Sequence, residues 1–142
     1  MPSKDIHQAS TLLLAGAVYY LMGDQAASPR EQILSVSGII TGLYISPDMD
    51  LAENFQGEPF WYLYGKLFKH RGVSHWPMIG TLTRLAYMGI LLVPFVYIFG
   101  YGWWLEAQIR SGLFTVWALG LSLSDFLHYM LDITVTRIKK AL

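Results

Sequence analysis

Residues 85–105 read LAYMGILLVPFVYIFGYGWWL, twenty-one positions without a charged side chain, closing on Tyr101, Trp103 and Trp104. As a helix this run reaches about 30 Å, the thickness of a bilayer's hydrocarbon core. Its terminal rings resemble the aromatic belt found at headgroup level. Pro94 sits in its middle and predicts a kink, or a neighbour that satisfies the freed carbonyl. Downstream, 112–131 has span length but carries Asp125 and His128 in its second half, where ionisable groups are expensive unless they face protein or water. Upstream, 33–45 follows the turn GDQAASP, with Ser28 as cap and Pro29 as first helical residue, and stops at Ser46-Pro47. The first run, 11–22, and this second one reach only about 20 to 25 Å, so flanking residues must extend them.

The composition agrees with the runs. Of 142 residues, 54% are hydrophobic and 14% charged, against roughly 25% charged in an ordinary soluble domain, and the mean hydropathy is +0.37. The expected fold is all-α: a membrane-embedded bundle of about four transmembrane helices in a single domain, 1–142. The polar segment 47–80 contributes a short interfacial helix at 60–68, where aromatics alternate around Lys66.

Charge gives an independent test, because successive spans alternate their loops between two compartments. With the N-terminus inside, Lys4, Lys66, Lys69, Arg71, Arg84, Arg137, Lys139 and Lys140 lie on the inner side and only Arg30 and Arg110 outside. Eight against two is the positive-inside pattern, which predicts a multi-pass protein of a bacterial-type inner membrane with both termini cytoplasmic and with membrane lipids as partners. The start MPSKDIHQAS is balanced by Asp5 and lacks the net basic character of a signal peptide. Ten basic and ten acidic residues leave no net charge for a nucleic-acid backbone. The absence of cysteine excludes disulfides, thiolate metal sites and a cysteine nucleophile.

On this topology all four histidines face one compartment, near several acids. Pro47-Asp48-Met49-Asp50 ends an apolar run with two carboxylates, which either meet a cation or complement the dipole of a helix that Ser46 caps. His70-Arg71-Gly72-Val73-Ser74-His75 sets two imidazoles around a glycine that can turn the chain. Arg71 between them offers a planar fork to a phosphate, and an interfacial basic loop on anionic headgroups is the plainer reading. Asp125, His128 and Asp132 are spaced i, i+3, i+7, which keeps them on one helix face. There they form either a metal-ligand stripe or a buried polar contact between helices. His7 opens the first helix at the same end. No His-Glu-x-x-His, phosphate-binding glycine loop, dinucleotide fingerprint or nucleophile elbow occurs.

The order of these motifs resembles the YdjM-type membrane-bound metal-dependent hydrolases. It resembles still more closely their relatives, metal-binding integral membrane proteins of unknown function, with the Met-Pro-Ser start, the Pro-Asp-x-Asp pair and the aromatic-basic stretch leading to His-Arg-x-x-x-Ser-His or a similar run. By that resemblance His7, Asp48, Asp50, His70, His75, His128 and Asp132 take the metal-ligand positions, while Asp125 maps to none. It implies one or more divalent cations, zinc first, and, through a distant link to helical zinc phospholipases C, a phosphoester or phospholipid-like substrate. Asp48 and Asp50 would then bridge metals or orient a water, and Arg71 would neutralise substrate charge. Trp76-Pro77 and the glycine-free Asp132-Ile-Thr-Val-Thr depart from the family pattern. The alternative to the hydrolase is a non-catalytic protein in which the same ligands hold a structural metal. A transporter is disfavoured, because the outer halves of the runs offer almost no polar residue.

Overall fold

The computed structural model describes residues 4–25, 27–45, 58–68, 72 and 76–141, with backbone only for 58–60. These form six helices and, among the described residues, no strand: α1 (Lys4–Asp24), α2 (Pro29–Thr41), α3 (Glu58–Leu67), α4 (Ile79–Ile98), α5 (Gly102–Arg110) and α6 (Leu113–Ala141).

Local chemistry sets most of the helix ends. Ser28 caps α2, Pro29 stands in the first turn, and a capping box closes the end. In that box the Ser28 hydroxyl and backbone N–H donate to Glu31 Oε2 at 2.6 and 2.9 Å, while Glu31 N–H donates back to Ser28 Oγ. The Ser28 hydroxyl first, and its N–H second, hold the Glu31 carboxyl below its ordinary pKa. That stabilisation is therefore present above the normal glutamate range and lost as the pH falls through the lowered value.

The long uncharged run 85–105 is divided, which corrects the expectation of one span over it. Helix α4 starts six residues earlier and runs continuously through Pro94 to Ile98. Gly100 then takes φ +79°, a left-handed turn that only glycine adopts without strain, and α5 begins. Gly112 at φ +74° makes the same kind of break before α6, whose 29 residues extend well past 131. Four membrane-length spans are likewise not found: among the described residues α4 alone is long and apolar enough to cross a membrane.

Helices α2 and α6 form the centre. A Cβ at Gly38 would run into the Trp117 carbonyl oxygen, one at Gly120 into the Ser35 carbonyl oxygen, and one at Gly42 into the Ser124 hydroxyl. Contacts that advance together along both helices make the pair parallel. Gly38-x-x-x-Gly42 therefore faces Gly120-x-x-x-Ser124, small residues at four-residue spacing that bring two backbones together. Ile39 and Leu121 are fully buried beside the seam. Helix α1 packs antiparallel along α2, and Gln32 Nε2 donates to the Ala27 carbonyl at 2.8 Å just before α2. Helix α3 lays Trp61 and Tyr64 on Tyr87 of α4, with ring centroids 5.3 to 5.7 Å apart, and Tyr64 Oη lies 2.9 Å from Thr83 Oγ1.

Large apolar side chains cover much of the exterior, while polar ones share the interior with Ile39, Trp61, Tyr64 and Leu121. Leu13, Tyr20, Ile90 and Ile98 are each 75% exposed, whereas Thr11, Ser35, Thr81, Arg84, Ser124, Asp125 and His128 are buried. An exposed leucine alone says little, but buried polar groups beneath an apolar exterior say more.

The seam gives a stability test. Gly38→Leu should destabilise the bundle by about 1–3 kcal/mol or more, since the added side chain meets backbone that cannot step aside. Gly16→Ala, where a Cβ meets nothing within 4 Å, should be neutral or stabilising by up to about 1 kcal/mol. Thermal unfolding of both variants in detergent would check the contrast.

Candidate metal centre

Three of the expected ligands converge. His7 lies in the second turn of α1, and His128 and Asp132 lie one turn apart on α6. The two imidazoles stack with centroids 4.0 Å apart and planes 14° apart. Asp132 reaches both: Oδ1 is 3.4 Å from His7 Nε2, and Oδ2 is 3.7 Å from His128 Nε2. All three residues are mostly shielded from solvent, and one ligand atom from each lies within 4.8 Å of the others.

These separations bear on what the cluster holds. They exceed the 2.7–3.2 Å of a good N–H···O bond. Two ligands of one tetrahedral ion, with bonds of about 2.0–2.2 Å, stand about 3.4 Å apart. Asp132 Oδ1 is buried and accepts no hydrogen bond among the described residues. Two imidazoles and a carboxylate are a donor set for a borderline divalent ion, so the residues present fit a metal. Asp48, Asp50, His70, Arg71 and His75 lie outside the described residues.

Asp125 makes the other of the two contacts its position allowed, a buried polar one between helices. Its Oδ2 accepts from Thr81 Oγ1 and from Arg84 Nη2, both on α4. Arg84 is 0% exposed and Asp125 2%. Arg84 is therefore not an inner-loop charge but a buried cation inside α4, neutralised across the helix interface. Sequence reasoning missed this pair. The available signal was that an arginine abutting the longest uncharged run needs a counter-charge, and that Asp125 is the one acid within 112–131.

The fold and the cluster define an all-helical protein with a His/His/Asp site joining its first and last helices. The chain belongs to the family described as "Uncharacterized metal-binding protein (DUF2227)", which matches residues 2–142. It is also similar to an uncharacterized protein of Aquifex aeolicus (strain VF5), 28% identical, with 68% of this chain and 85% of that protein covered. No solved structure matches the chain. The family description carries metal binding and no reaction, so the resemblance to membrane-bound hydrolases is not shown and hydrolase activity finds no support here.

The Arg84 and Asp125 pair predicts a strongly non-additive double-mutant cycle. Arg84→Met or Asp125→Leu alone should cost about 3–5 kcal/mol by leaving a buried charge uncompensated, and the double variant should recover most of that loss. Chemical denaturation of the four proteins would measure the coupling. Additive losses would show that the two groups do not share their charge.

Proposed function

We propose that the chain is a multi-pass protein of a bacterial-type inner membrane, both ends cytoplasmic, that binds a divalent cation, zinc, in a non-catalytic role. The convergence of His7, His128 and Asp132 from the two ends of the chain carries this reading. A cation there ties α1 to α6, an otherwise light contact, and so contributes folding energy directly. We further propose that Asp48, Asp50, His70 and His75 supply additional ligands.

The membrane reading is supported by the apolar exterior. Helix α4, at about 30 Å, matches the hydrocarbon core, and it ends among exposed Tyr97, Phe99, Tyr101, Trp103 and Trp104. Helices α1 and α6 fall short of membrane-span hydropathy because Thr11, Ser124, Asp125 and His128 turn inward, where lipid does not meet them. Without Arg84 the basic asymmetry still stands, with Lys4, Lys66, Lys69, Arg71, Arg137, Lys139 and Lys140 against Arg30 and Arg110.

Full-length protein purified in detergent should contain at least one equivalent of zinc by elemental analysis. His7→Ala and His128→Ala should each retain only a small fraction, and chelation should lower the melting temperature of the wild type far more than that of either variant. Undiminished metal in both variants would remove the site. Turnover of a phosphoester panel by the loaded protein would move the assignment to the hydrolase.

Topology is separately testable. A reporter active only outside the cytoplasm should give no signal when fused after Leu142, and a strong signal there would overturn the orientation.

A further inference from the structure

Helix α3 is apolar on both of its faces. Trp61 and Tyr64 point inward and are buried, at i and i+3, with Phe68 partly buried against them. On the opposite side Tyr62, Leu63 and Leu67 are 51%, 52% and 64% exposed. The charge among them is Lys66, whose ammonium lies 4.5 Å from the centre of the Tyr62 ring. Nearby in the chain, just before α4, Trp76 and Met78 are exposed as well. A helix with large side chains outward and one lysine held over an aromatic ring suits the boundary between acyl chains and headgroups, where the lysine stem lies in the apolar layer and its head reaches phosphate.

A second observation gives the sign of the surface. Helix α6 is about 43 Å long, more than a bilayer core, so its last turns project beyond it on the side of His128 and Asp132. After Asp132 the chain reads ITVTRIKKAL, three basic residues and no acid, with Arg137, Lys139 and Lys140 all exposed. These cations fall within a Debye length of a leaflet at that level, and only an anionic leaflet attracts them.

We infer that the outer face of α3, with the basic end of α6, is a docking surface for the headgroup layer of an anionic phospholipid leaflet on the side of the His/Asp cluster. This rests on the membrane reading above and adds to it the lipid class and the elements that recognise it. Tyr62, Leu63 and Leu67 supply the apolar contact, and Lys66, Arg137, Lys139 and Lys140 the charge.

The chain has no cysteine, so single cysteines placed at Leu63, Leu67 and Ile90 of the full-length protein accept spin labels without background. The labelled proteins would be reconstituted into bilayers of phosphatidylcholine, alone or with phosphatidylglycerol. Their collision rates with oxygen, which partitions into lipid, would be compared with those for a water-soluble nickel chelate. All three sites should favour oxygen. At Leu63 and Leu67 the ratio should rise about twofold with phosphatidylglycerol at low salt, and that rise should vanish at high salt or in the Lys66→Gln, Arg137→Gln, Lys139→Gln, Lys140→Gln variant. Nickel access at Leu63 and Leu67 with Ile90 still in lipid would overturn the docking surface and leave the membrane reading intact. Nickel access at Ile90 would remove the membrane reading and this proposal with it. Equal ratios in the two bilayers would overturn the commitment to anionic lipid.

Discussion

The seam between α2 and α6, where Gly38, Gly42 and Gly120 admit backbone against backbone, sets the rotation of α6, and α6 carries the buried acid and the His/Asp pair that meet α4 and α1. Its Asp125 meets α4 through Arg84 and Thr81, and its His128 and Asp132 meet α1 through His7. A turn of α6 by one residue is about 100°, enough to aim all three acceptors away from their partners. Gly38 and Gly120, inside their helices, cost about 1 kcal/mol each in helix propensity. That loss is offset because no larger residue allows an approach that fixes both the register and the facing of α6.

Charge inside this bundle is tolerated by pairing rather than by hydration. Moving a guanidinium and a carboxylate out of water costs several kcal/mol each, and their attraction repays this only with good geometry and further hydrogen bonds. Thr81, one turn before Arg84, supplies such a bond to the same carboxylate oxygen. The pair is therefore a device for placing α4 on α6 more than a source of net stability. Both contacts fall on Asp125 Oδ2, so that oxygen is committed to α4 rather than to the cluster at His128. Among the described residues, the carboxylate that reaches both imidazoles of the cluster is that of Asp132.

Much of this was legible in the residues. The Ser28-Pro29 helix start, a short helix around Lys66 and the shared face of His128 and Asp132 follow from rules with a period or a cap behind them, while His7 joined that pair through the charge asymmetry and the family resemblance. What was not legible has physical reasons. The run 85–105 shows no hydropathy change at Gly100, because the break there is a backbone conformation and glycine is neutral on an apolar scale. Arg84 read as a loop charge because its neutraliser lies 41 residues away in the chain. The glycine seam was equally hidden: Gly38-x-x-x-Gly42 stands plainly in the sequence, but its complement on α6 is Gly120-x-x-x-Ser124, and only the contact shows that the two face each other.

Inward from the His/Asp cluster, the described buried side chains of α6 turn from polar to aliphatic. From the His/Asp cluster inward along α6 come Asp125 and Ser124, then Leu121, then Gly120 against Ser35 of α2. Leu121 and Ile39 are both fully buried at the level between Ser124 and Ser35. An unpaired charge at that level would lie beside buried aliphatic side chains, where desolvation is costly. Beyond that level the cavity of about 360 Å³ beside Val18, Leu21 and Met22 is lined mainly by apolar atoms and lies at the other end of α1 from His7. The proposed structural role of a cation at His7, His128 and Asp132 accords with the aliphatic packing of Ile39 and Leu121 further along the seam.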